Sequence, residues 1–158
     1  MILYKFTKRN IVLSRGEEMR MIHKLEEIWN YWRREEFVGN KIYFEKLIYE
    51  SLKLKIYFSM DEENRFLTMT FDQPISYRYS NDSQRIKSTD ALLQKHGDDF
   101  FNKHSFFKVT NSNDIENFNR ATKNQYKDLI QMFVIVAMDD FIEVLSLEEP
   151  IIKSEVKI

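Results

Sequence analysis

The chain has 158 residues, 43% of them hydrophobic and 15% aromatic, including 13 Phe, 8 Tyr and 2 Trp; at this length roughly 70% of the unfolded surface is buried on folding, which excludes a disordered polypeptide and predicts a single domain over residues 1–158. No cysteine is present and no apolar run is of secretory or bilayer-spanning length, which excludes disulfides, thiolate chemistry and sulfur-ligated metals and points to a reducing cytoplasm, without membrane insertion. The 24 basic and 25 acidic residues nearly cancel, so no global field would hold the chain on nucleic acid.

Three glycines and two prolines over the whole length leave no linker or low-complexity tract, and no internal repeat is found. The first predicted element is a helix. Ser14 stands three residues before Glu17, the spacing of a capping box, and Ile22, Leu25, Ile28, Trp29 and Trp32 recur at spacings of three and four to about Glu36. On this reading the two tryptophans are core residues rather than a stacking pair for a ligand. A competing reading begins the protein at Met19. Arg15-Gly16-Glu17-Glu18 can be encoded by a purine-rich run resembling a bacterial ribosome-binding site, which would make residues 1–18 a disordered or misannotated extension.

A weaker strand is expected from Lys41 to Tyr49. The clearest alternation follows it: Leu52, Leu54, Ile56, Phe58 and Met60 interleave with Ser51, Lys53, Lys55, Tyr57 and Ser59. After a polar turn at Asp61-Glu62-Glu63-Asn64, Leu67, Met69 and Phe71 interleave with Phe66, Thr68 and Thr70 and close a hairpin. Beyond Pro74, Ile75, Tyr77 and Tyr79 alternate with Ser76, Arg78 and Ser80, a third strand antiparallel to its neighbour with the tyrosines toward the core and Arg78 in solvent.

From Ser88 to His104 the period changes to that of a helix capped by Ser88 or Thr89, which Gly97 weakens or splits. A short strand from Ser105 to Val109 precedes Asn111-Ser112-Asn113-Asp114, which opens a short helix carrying Ile115 and Phe118. Leu129 to Met138 is a nearly continuous apolar run that suits a central strand. Asp139-Asp140 turns it, and Phe141 to Ser146 returns with Ile142 and Val144 on one side and Phe141, Glu143 and Leu145 on the other; Pro150 ends the ordered part. The expected fold class is α+β, a largely antiparallel sheet of about five to seven strands with N-terminal and central helices packed on one side.

Little in the sequence carries chemistry. His96 and His104 lie eight residues apart, too far along a helix to close on one ion, and Asp98-Asp99 and Asp139-Asp140 lack the interleaved oxygens of a calcium loop. Gly16, Gly39 and Gly97 are isolated from one another, so no phosphate-cradling loop is built, and no serine sits on a glycine-flanked elbow. Tyr77-Arg78-Tyr79 has the residue types of a base-stacking surface, but alternation reads it as a strand with two faces. No cofactor and no metal is therefore expected.

Three stretches taken together carry a resemblance. Phe71-Asp72-Gln73-Pro74 with Tyr77-Arg78, Lys108-Val109-Thr110-Asn111-Ser112, and the run from Phe133 to Ser146 with Glu149-Pro150 resemble a loose group of small uncharacterised bacterial α+β proteins, over about residues 52–150. Some of that group resemble immunity proteins or antitoxins encoded beside polymorphic toxins. The resemblance implies a binding role without catalytic residues and carries over no functional residue; the N-terminal helix lies outside it.

The leading expectation is accordingly a protein-interaction module that neutralises a toxic partner. Residues 1–55 carry 12 basic against 8 acidic side chains and residues 56–158 carry 12 against 17, so Asp98, Asp99, Asp139, Asp140, Glu148 and Glu149 are the candidate surface for a basic toxin domain. The alternatives are a small enzyme assembled from scattered residues such as Asp72, Arg78, His104 and Glu143, and an oligomeric structural protein with an exposed apolar patch or unpaired edge strand.

Overall fold

Period-two alternation covers more of this chain than any other pattern, and strands dominate what it builds. In a computed structural model that describes residues 26–32, 39–61 and 64–156, the elements run β1 (Ile28–Tyr31), β2 (Ile42–Glu50), β3 (Lys53–Met60), β4 (Arg65–Asp72), β5 (Ser76–Asn81), a 3-10 turn (Asp82–Gln84), α1 (Ile86–His96), α2 (Phe100–Lys103), β6 (Phe106–Thr110), α3 (Asn113–Ala121), β7 (Gln131–Ala137), β8 (Asp140–Ser146) and β9 (Ile151–Val156). All pairings are antiparallel, and they form two sheets rather than the one expected. A five-stranded sheet has the order β1-β6-β7-β8-β5, and a four-stranded sheet the order β2-β3-β4-β9.

The apolar run of residues 129–138 is explained by its place. β7 is the middle strand of five, and it and β8 are buried at six of seven positions each, so apolar residues are needed on both faces. One face turns toward the four-stranded sheet. There Phe133, Ile135, Ile142 and Val144 join Leu54, Ile56, Phe58, Leu67, Met69 and Phe71 in one cluster, with the Phe71 and Phe133 rings edge to face at 5.4 Å. The other face carries Met132, Val134, Phe141 and Leu145, against which Trp29 of β1 and the helical side chains Leu92, Leu93, Phe100, Phe101, Ile115 and Phe118 are packed.

Several sequence expectations are overturned for identifiable reasons. Residues 28–31 are not helical: β1 pairs with β6, Trp29 opposite Val109, because a stripe this short fits either period and the open edge of β6 decides it. Trp29 is buried in the core and Trp32 is only partly buried against it, and the two do not share a face. Residues three apart in extended chain point in opposite directions, so Trp29 meets Phe100, Phe101 and Phe107 while Trp32 meets Phe106 and Phe133. The rest of that predicted helix, its capping box and the Met19 question lie outside the described residues.

The third strand does not join its neighbour β4. Gln73 takes a left-handed φ of 46°, Pro74 has no N–H to continue the ladder, and Ile75 donates to the Leu145 carbonyl at 2.8 Å, which hands β5 to β8. The chain also continues in order past Pro150, where β9 pairs with β4. Gly97, at φ 95°, separates α1 from α2, whereas the predicted caps fail: α1 starts at Ile86 without a side-chain cap, and Ser88 Oγ instead donates to the Arg85 carbonyl. Ser112 does cap α3, accepting from the Ile115 N–H at 3.1 Å.

Leu52, expected in the core, is 59% exposed. It forms with Ser51 the two-residue turn between the paired Glu50 and Lys53, and both residues have positive φ, 50° and 62°. Asn-Gly suits such a turn far better than Ser-Leu. Ser51→Asn combined with Leu52→Gly is therefore expected to raise the unfolding free energy by about 1 kcal/mol, read as a higher urea midpoint at unchanged slope.

Candidate functional site

Alternation along β8 forces one acidic side chain onto an apolar face. Phe141, Glu143 and Leu145 share that face, and Glu143 is only 5% exposed. An isolated carboxylate there would be neutralised by protonation. Two arginines prevent it. Arg78 lies directly across the β5–β8 pairing and donates from Nε to Glu143 Oε2 at 2.6 Å, and Arg85, in the turn before α1, reaches Oε1 from Nη1 at 2.8 Å. The Arg85 guanidinium also lies over the Phe141 ring, 4.9 Å from its centroid. Arg78 extends to Asp114 at 3.6 Å, at the start of α3.

The electrostatics follow from this geometry. Burial pushes the Glu143 carboxyl up, but the hydrogen bonds and charges of Arg78 and Arg85 outweigh it and hold the group below the usual carboxylate range. The Glu143 hydrogen bond raises Arg78 in turn. Above the pair opens a cleft of about 780 Å³ whose lining includes Trp29, Arg78, Arg85, Leu92, Lys95 and Glu143. A second hollow of about 230 Å³ shares Arg78 and Glu143 with it.

Of the scattered set Asp72, Arg78, His104 and Glu143, only Arg78 and Glu143 meet. Asp72 is exposed at the end of β4, opposite Lys53, and His104 stacks on Tyr31 with ring centroids 3.7 Å apart; neither lines the cleft. His96 stacks on Phe100 at 4.3 Å. Among the described residues no group of three or more His, Asp or Glu side chains is placed to hold a metal ion.

The six candidate acids divide between places. Asp98 and Asp99 are exposed in the turn between α1 and α2, with Asp99 paired to Lys103 at 3.1 Å. Asp139 sits in the β7–β8 turn, where its carbonyl accepts from the Asp82 N–H at 2.6 Å, and Asp140 accepts the Tyr79 hydroxyl at 2.6 Å. Glu148 and Glu149 lie past the far end of β8, roughly 20 Å away at the rise of an extended strand. There Glu148 is held in a turn by Ser146 Oγ and Glu149 is paired with Lys108.

On β5 alternation separates Tyr77 and Tyr79 from Arg78 as the register does, but the burial it implies is not met. Tyr77 and Tyr79 are 43% and 48% exposed, and Arg78 points to Glu143 rather than simply to water. Both tyrosines lean across to the other sheet's edge strand, Tyr79 against Phe44 at 5.1 Å and Tyr77 against Tyr49 at 5.7 Å. Tyr43, on the same edge, donates to Asp61 at 2.7 Å. The acidic acceptors push the Tyr43 and Tyr79 phenols up. The signal available in the sequence was the concentration of tyrosine on two strands, but only the pairing of β5 with β8 turns it into one edge.

No protein family, no curated protein and no solved structure matches this chain. Among the described residues no helix is long and apolar enough to cross a membrane.

Replacing Glu143 by Gln leaves two guanidiniums beside an uncharged partner. With Arg78 more than half exposed and so partly screened, the expected loss is ~3 kcal/mol at neutral pH, at the low end for a broken buried pair. Because the folded carboxyl lies below its unfolded value, the wild-type advantage is fully present above the ordinary Glu pKa of about 4.3 and is lost as pH falls through the folded value. Urea titrations of both proteins between neutral and acid pH check the loss and its direction.

Proposed function

We propose that this chain is a non-catalytic protein-binding module of immunity or antitoxin type that acts in the cytoplasm, with its helices laid against one face of the five-stranded sheet and its partner against the edge where β2 and β5 meet. The observation that carries the reading is the aromatic strip on that edge. Tyr49, Tyr77 and Tyr79 are between 43% and 48% exposed and ring-packed in place, and tyrosines held in this way are the side chains that anchor protein interfaces at small entropic cost. Tyr79 leads to Asp140, and Asp82 and Asp139 adjoin it. A partner with basic side chains around an apolar centre complements such a surface, and the charges mainly raise the association rate.

Two further features support the reading. Glu143 is held ionised between arginines, which makes it a poor general acid and a weak base, so the one buried carboxylate among the described residues is not poised for proton transfer. The resemblance over residues 52–150 implies the same role, and the lack of cysteine in the 158 residues favours a reducing compartment.

The test is recovery of the tagged chain from its native host, with toxicity assays on the products of neighbouring genes. A one-to-one complex with a toxic protein is expected, weakened at least about tenfold by Tyr77→Ala with Tyr79→Ala and slowed in association by Asp139→Lys with Asp140→Lys. A complex indifferent to both pairs of substitutions, or a homodimer formed through this edge in place of any complex, would overturn the proposal.

A further inference from the structure

We infer that the cleft above Glu143 is a binding site for a small organic anion, its carboxylate or phosphate held by Arg85 and Arg78 and its apolar part resting on Trp29 and Leu92. The site lies on the other face of β5 from the tyrosines, since Arg78 alternates with Tyr77 and Tyr79, and it is independent of the protein-binding edge.

Two guanidiniums share a single buried carboxylate, Glu143 pairing with Nε of Arg78 and Nη1 of Arg85. Two further acids act on Arg78: Asp114, which stands at 3.6 Å and is half exposed, and Glu27 in the cleft lining. At the rim, Glu26 is taken by Lys95 at 2.5 Å, and Glu27 accepts the Trp29 indole N–H at 3.2 Å. Lys87, also in the lining, adds a further cation.

Arg85 is only 14% exposed, and its Nε is buried without a hydrogen-bond partner among the described residues. Buried donors are seldom left in this condition, because the lost hydration is not recovered. A guanidinium presents its donors in a planar fork that matches the oxygens of a carboxylate or phosphate.

At about 780 Å³ the cleft falls in the range of small-molecule sites, which combine apolar walls with a few convergent polar groups. Trp29, Ile86, Ala91 and Leu92 provide the walls.

The full chain, titrated with inorganic phosphate, phenyl phosphate and benzoate and followed by amide and indole NMR shifts, tests the assignment. Saturable shifts at residues 83–88 and at the Trp29 indole are expected, with phenyl phosphate binding more tightly than inorganic phosphate. Arg85→Gln should weaken phenyl phosphate about tenfold through the lost charge-assisted bonds. Ala91→Asp, which adds a carboxylate to the cleft without touching the Glu143 pair, should weaken it as well and covers the case in which Arg85→Gln does not fold. No saturable shift with any probe up to about 10 mM, or binding indifferent to both substitutions, overturns the site.

Discussion

Burial of the β7–β8 hairpin on both faces is the constraint from which the architecture follows. A strand pair apolar on both sides cannot stop at one covering layer, since either bare face would leave a row of large side chains in water. The four-stranded sheet meets this need on one side, through Phe58, Met69 and Phe71 against Phe133 and Ile142. Trp29 and the helical residues Leu92, Phe100, Phe101, Ile115 and Phe118 meet it on the other. The edge strands β1 and β5 extend the hairpin's own sheet through β6 and β8, and their alternation is set by the register they inherit.

The same constraint gives the molecule its chemistry. Glu143 is the only buried charged residue among the described ones, and it is there because β8 offers no outward face on which to put it. Its carboxylate needs cations from elements that reach the same face, and β5 and the turn before α1 supply them. β5 thus serves two surfaces. Arg78 joins Glu143 at the floor of the cleft, while Tyr77 and Tyr79 span to Tyr49 and Phe44 and form the aromatic edge.

What could be read from residues alone was local. Alternation locates β3 and β4 and the buried sets Leu54-Ile56-Phe58 and Leu67-Met69-Phe71, and it assigns Glu143 to the face of Phe141 and Leu145. The failures are places where a distant partner decides. Ile28, Trp29 and Trp32 satisfy a helical period as well as a strand, and only β6 distinguishes them. Ile75, Tyr77 and Tyr79 look like a buried face until β5 pairs with β8 instead of β4. Leu52 continues an apolar alternation that a two-residue turn interrupts, and residues 151–156 follow Pro150, which reads as a stop until β4 supplies their ladder. For the site, Arg78 and Glu143 are both legible in the sequence as charges, but 65 positions separate them, and Arg85 carries no signal at all. The acidic residues are legible as charges, yet that Asp139 and Asp140 stand at one end of β8 and Glu148 and Glu149 past the other follows only from its length.

The claim on which these points converge is that two guanidiniums outweigh burial at Glu143, making it a fixed structural anion and not an acid–base catalyst. Carbon-detected NMR titration of the Glu143 side-chain carboxyl measures this directly. A midpoint below the ordinary Glu value of about 4.3 is expected, together with retention of the Arg78 and Arg85 guanidinium contacts over the titrated range above it. A midpoint raised toward neutrality would contradict the claim, showing that burial prevails and that the carboxyl is available as a proton donor in the cleft.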